Sequence, residues 1–189
     1  MDKDKEKFQF QEVLQSQARG ESWEAMKKLK ELAVKDPQNA FYQKLLGNIY
    51  FHMGLLDWAI DYYQKAVEIG ENYIDAYYDL GVSYYHRGKI RSAIVEFERA
   101  LQLDPEYHAA HYRLGICYQH VGNVEKATHH FIESTIVTPE YVMAHFHLAE
   151  IYYEMGELDK AENSCRKVLE ENSEDKAGKN LLAKIKSKK

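Results

Sequence analysis

His52, His86 and His120 recur at intervals of 34 residues, and such a row of imidazoles could ligate a metal, shuttle protons or titrate near neutral pH. They cannot share one metal ion. Equivalent helices in a repeating stack are separated by roughly 8–10 Å per packed contact, whereas zinc ligands sit about 2 Å from the metal. The row reads as partly exposed histidines ahead of a turn, with a surface that titrates near about pH 6.5 as the sharper alternative. Cys117 with His120, and His147 with Glu150, are single i,i+3 pairs that supply at most half a metal site each. His129 and His130 are adjacent, so they point apart on a helix. No metal and no cofactor are expected.

Catalytic chemistry has even less support. The chain contains no glycine-rich phosphate loop ending in Gly-Lys-Ser/Thr and no His-Glu-x-x-His. Glu150 and Glu154 lie one helical turn apart, but a carboxylate pair on an open wall lacks the desolvation that tunes acids and bases. No residue is assigned a catalytic role, and the chain is not read as an enzyme.

The histidine spacing belongs to a wider pattern. Glycine recurs at Gly47, Gly81 and Gly115, tyrosine at Tyr50, Tyr84, Tyr118 and Tyr152, and alanine at Ala25, Ala59, Ala93, Ala127 and Ala161, each series with the same 34-residue step. Five units follow without insertion: 6–39, 40–73, 74–107, 108–141 and 142–175. Position 7 of the unit carries Leu46, Leu80, Leu114 and Leu148. Position 15 carries Gly20, Gly54, Gly88, Gly122 and Gly156. Position 24 holds Leu29, Tyr63, Phe97, Phe131 and Cys165, and position 32 holds Pro37, Pro105 and Pro139.

Positions 4, 7, 8 and 11 share one stripe of a first helix, and 20, 24 and 27 share one stripe of a second, so each unit is a helix–turn–helix with facing apolar sides. Glycine at position 15 ends the first helix; proline at position 32 stops the second. Small residues at 8 and 20 permit close backbone approach, and a bulky residue at either should push the helices apart. The first unit departs most, with Val13 at position 8 and Ser16 at position 11, which predicts a displaced or frayed first helix. A unit that cannot bury its apolar face alone must stack on copies of itself, so the predicted fold class is all-α, an elongated α-solenoid. Residues 1–5 are read as a charged tail. Residues 176–189 are read as a capping helix with Ala177, Leu181 and Ile185 on one face and a lysine tail.

Composition bounds the partners. The net charge of −5 and the absence of a long basic run outside the last residues argue against nucleic acid. No window approaches the roughly 18 apolar residues of a membrane span, and Met1 to Lys7 lead into nothing like a signal peptide. Cys117 and Cys165 sit in amphipathic patterns and read as reduced, small apolar residues. A cytoplasmic protein is expected.

The runs Gln43-x-x-Leu46-Gly47-x-x-Tyr50, Tyr77-x-x-Leu80-Gly81-x-x-Tyr84 and His111-x-x-Leu114-Gly115-x-x-Tyr118, with the alanine and proline series, resemble the tetratricopeptide repeat family over residues 6–175. The resemblance implies a right-handed superhelix and a protein-binding adaptor or scaffold whose first helices line a concave groove. The residues it places on that wall include Lys44, Asn48, Phe51, Tyr78, Asp79, Tyr85, Tyr112, Arg113, Phe146 and Tyr153, an aromatic and polar surface suited to a peptide or helix. Chaperone-binding members hold a terminal carboxylate with lysine, asparagine and arginine on this wall; at those positions this chain has Lys44, Asn48, Asp79, Ala109 and Arg113. Asp79 and Ala109 depart from that pattern. A partial carboxylate clamp and self-assembly into a homo-oligomer remain as alternative readings.

Overall fold

A computed structural model describes residues 3–137 and 142–189. Pro139, expected to stop a second helix, lies outside the described residues, as do Met1 and Asp2 of the expected tail. Among the described residues all regular structure is helical: α1 (Lys3–Ala18), α2 (Ser22–Lys35), α3 (Ala40–His52), α4 (Leu56–Ile69), α5 (Ile74–His86), α6 (Ile90–Leu103), α7 (His108–His120), α8 (Val124–Val137), α9 (Val142–Glu154), α10 (Leu158–Glu171) and α11 (Lys176–Lys188). Odd-numbered helices up to α9 are first helices of a unit and even-numbered ones are second helices. The helices divide into two compact bodies, one holding α1–α6 and one holding α7–α11, with the boundary between Leu103 and Asp104.

The turn inside each unit follows from one backbone requirement. Gly88 has φ +77°, in the left-handed region that only glycine enters without steric cost, and the glycines at the other four equivalent positions do the same. The chain then reverses sharply: Gly88 N–H donates to Tyr85 O and Lys89 N–H donates to Tyr84 O, which satisfies two carbonyls left open at the end of α5.

Packing between the paired helices depends on positions 8 and 24 being complementary in size. In the first body a Cβ added to Gly47 would lie 2.6 Å from the ring of Tyr63, and one added to Gly81 would lie 2.6 Å from the ring of Phe97. The second body repeats this with Gly115 and Phe131. Where position 8 grows, position 24 shrinks. Ala149 is matched by Cys165, and Val13 is matched by Leu29, all four fully buried. This corrects the expectation of a frayed first helix: α1 is helical through Val13 and Ser16, both buried, because Leu29 leaves the room that an aromatic ring would fill. The alanines at position 20 are all fully buried.

The signature tyrosines at position 11 are architectural. Tyr50, Tyr84 and Tyr118 are buried between the helices of their units, each with a lysine over the ring: Lys30 at 5.4 Å, Lys89 at 5.7 Å and Lys126 at 4.8 Å. In α11 the buried stripe is Gly178, Leu181 and Ile185, with Ala177 exposed. Gly178 replaces the expected Ala177 because the helix lies close to α10, where an added Cβ would meet Leu169 Cδ2 at 3.2 Å. The Asp175 side chain caps α11 by accepting from Gly178 N–H at 2.7 Å. The lysine tail is tied down: Lys189 Nζ lies 2.6 Å from both Asp159 and Glu162, and Lys188 lies over Tyr153 at 4.6 Å.

Candidate functional site

All ten side chains predicted to face a ligand lie on first helices, and each is part-exposed. Lys44, Asn48 and Phe51 come from α3, Tyr78, Asp79 and Tyr85 from α5, Tyr112 and Arg113 from α7, and Phe146 and Tyr153 from α9. The cause is helical period: with positions 4, 7, 8 and 11 turned into the helix pair, positions 5, 6, 9 and 12 turn away from it.

In the first body these first helices are already cross-linked. Lys44 Nζ lies 3.1 Å from Asp79 Oδ2, a half-buried ion pair that joins α3 to α5. Burial pushes the Asp79 carboxyl above the usual carboxylate range, against the opposing pull of Lys44. The Tyr63 hydroxyl donates to Asn48 Oδ1 at 2.7 Å, which ties α4 to α3. Phe51 and Tyr85 both approach the exposed His86 edge-on, with ring centroids 5.6 and 5.8 Å away. Tyr78 rests on the buried Phe97 ring at 5.7 Å.

In the second body Tyr112 rests on Phe131 at 5.9 Å and lies 6.0 Å from His147, whose ring stacks on Phe131 at 4.9 Å. His147 Nδ1 is 3.7 Å from Glu150 Oε2, beyond hydrogen-bond reach, and burial lowers its pKa. Glu150 departs from the expectation that a carboxylate pair there lacks desolvation: burial first, then repulsion from Glu154, raises its pKa while Lys184 opposes. Phe146 and Tyr153 pack against the terminal cluster of Ala149, Cys165, Leu181 and Ile185, so these two residues also anchor the cap. Arg113 acts on Cys117, whose thiol burial nevertheless pushes up to about 11, leaving it unreactive at neutral pH.

One polar cluster escaped the sequence. The buried His111 of α7 places its Nδ1 3.0 Å from Nδ1 of His130 on α8, and its Nε2 lies 2.9 Å from Pro105 O. A carbonyl accepts only, so His111 carries its proton on Nε2 and, when neutral, accepts at Nδ1 from His130. The His130 ring stacks parallel to Tyr118 at 5.5 Å, and burial together with His111, His129 and Lys126 lowers its pKa to about 4. Its neighbour His129 turns instead to Glu133, 3.9 Å away. The only signal in the sequence was a histidine at position 4 of unit four, where a large buried side chain is required. His52, His86 and His120 are all exposed. Among the described residues no group of three or more His, Cys, Asp or Glu could hold a metal ion, and no helix is long and apolar enough to cross a membrane.

The tetratricopeptide repeat model matches residues 36–106, and a second model of that repeat matches residues 84–131 and 137–185. The chain belongs to the tetratricopeptide repeat family. Proteins of this family generally mediate protein–protein interaction and are typically non-catalytic scaffolds. Among solved structures, MamA is 27% identical with a TM-score of 0.80 over 84% of this chain and 93% of its own. YrrB, a tetratricopeptide repeat protein with an unusual peptide-binding site, is 19% identical with a TM-score of 0.78, covering 91% and 89%. PilF of Pseudomonas aeruginosa is 18% identical with a TM-score of 0.83, covering 98% and 86%. No curated protein sequence matches this chain.

Proposed function

We propose that this tetratricopeptide repeat chain is a non-catalytic adaptor that binds an extended or helical segment of a partner protein against its first-helix faces. The observation that carries this reading is the placement of Tyr78 and Tyr112. Each is part-exposed, yet each is held on a fully buried ring, Phe97 or Phe131. A ring already fixed in place loses little conformational freedom when a ligand covers it, which is how aromatic anchors contribute affinity. Charge on the same faces, from Lys44, Asp79 and Arg113, sets register rather than strength.

The test is affinity capture from a lysate of the source cell, comparing wild type with a folded Tyr78→Ala, Tyr112→Ala, Arg113→Ala variant. A protein held by wild type and lost by the variant supports recognition on these faces. Equal recovery, or recovery of the chain itself alone, moves function to other faces or to self-assembly.

A further inference from the structure

We propose that the outward face of α2, together with the aromatic stack it adjoins on α4, is a second docking surface, and that its occupant is an acidic amphipathic helix of a partner protein. Trp23 is 65% exposed, Val34 80% and Trp58 56%. At about 100° per residue Trp23, Lys27, Lys30 and Val34 fall within about 60° of one another, a stripe with apolar ends and two central cations. Met26, Lys27, Lys30, Glu31, Val34 and Lys35 line a shallow groove along this face. Lys30 connects it to α4, because it lies over Tyr50, which stacks on Trp58 at 5.9 Å and on Tyr62 at 5.2 Å; Lys65 lies over Tyr62 at 4.9 Å.

Exposed Trp23 and Val34 on the helix face that carries this groove, with exposed Trp58 beside it, mark an interaction site. Charge complementarity selects the occupant. Helix α2 holds four lysines against two glutamates in a chain of net charge −5. Lys28 is occupied by Glu12 and Glu24, whereas Lys27, Lys30 and Lys65 enter no ion pair among the described residues. Ring-held cations beside apolar surface suit carboxylates that flank an apolar helix face. The interleaved Glu31 and Asp61 would oppose a continuous polyanion such as nucleic acid or an anionic bilayer, while a helix can space its acids around them.

The experiment uses the full chain and two synthetic helices with the same leucine and phenylalanine face, one flanked by glutamate and one by lysine, read by fluorescence anisotropy. The acidic helix should bind at least about tenfold more tightly, and a Lys27→Glu, Val34→Glu variant with unchanged circular dichroism should lose that gain. Tyr78→Ala with Tyr112→Ala should leave it intact, which separates this surface from the first-helix faces. Equal binding of the two helices, no binding of the acidic one, indifference to the variant, or tighter binding of phosphatidylserine vesicles or polyuridylate would overturn the proposal.

Discussion

The ring of Phe97 occupies the space that a side chain on Gly81 would need, with Cε1 2.6 Å from where that Cβ would sit. Gly81→Ala should therefore destabilise the chain by about 1–3 kcal/mol through overpacking, and Phe97→Leu by about as much through a cavity. Combined, the two should cost clearly less than their sum, because the chain itself uses Val13 with Leu29 and Ala149 with Cys165 at the same positions. Urea unfolding of the four proteins in the cycle measures the coupling; strict additivity would remove the size-matching account.

Recognition and architecture should separate on neighbouring residues of one helix. Tyr78→Ala or Tyr112→Ala should weaken partner binding by about 1–3 kcal/mol with little change in thermal midpoint, whereas Gly81→Ala should lower the midpoint. Calorimetric binding and thermal unfolding of the same preparations give both numbers.

The Lys44–Asp79 pair makes a prediction about pH. Lys44→Met leaves the desolvated Asp79 carboxylate alone and should cost about 1–2 kcal/mol at neutral pH. That cost should shrink as the pH falls and Asp79, already raised by burial, takes up a proton. The same pair bears on a carboxylate clamp: a free C-terminal carboxylate would have to displace Asp79 from Lys44. Peptides differing only in a free or amidated C-terminus should bind wild type equally, and a strong preference for the free acid would revive the clamp.

His130 should make stability fall in mild acid. Its folded pKa of about 4 lies below its ordinary value of 6.5, so the unfolded chain binds the proton more readily between the two. Stability is complete above pH 6.5 and is lost as the pH drops towards 4, by about 1–2 kcal/mol after discounting for partial solvent exposure. Asp79, Glu96 and Glu150, all raised by burial, act in the opposite sense near the lower end. The His130→Asn variant keeps a donor for His111 and should flatten the slope between pH 6.5 and 5 relative to wild type, read by denaturant unfolding at several pH values.

The repeat was legible because it is written in residues whose roles are steric. A left-handed glycine, a missing Cβ and a small alanine tolerate few substitutes, so they recur at fixed spacing. Gly88 and Ala93 could be placed from the sequence for that reason. That Tyr78 and Asp79 lie off the buried stripe of α5 was legible as well, since helical period alone turns positions 5 and 6 away from it. Pairing across helices was harder to read. His111 with His130, and Trp58 with Tyr50, join residues 19 and 8 apart on different helices, which the period of a single helix does not link. Val13 was misread because its meaning depends on Leu29, a partner in the next helix.

Hydrogen–deuterium exchange of the chain with and without its captured partner tests the central claim most directly. The account predicts added protection in α3, α5, α7 and α9, over the segments that carry Lys44 to Phe51, Tyr78 to Tyr85, Tyr112 to Arg113 and Phe146 to Tyr153. Protection confined to second helices, with these four unchanged, would contradict it.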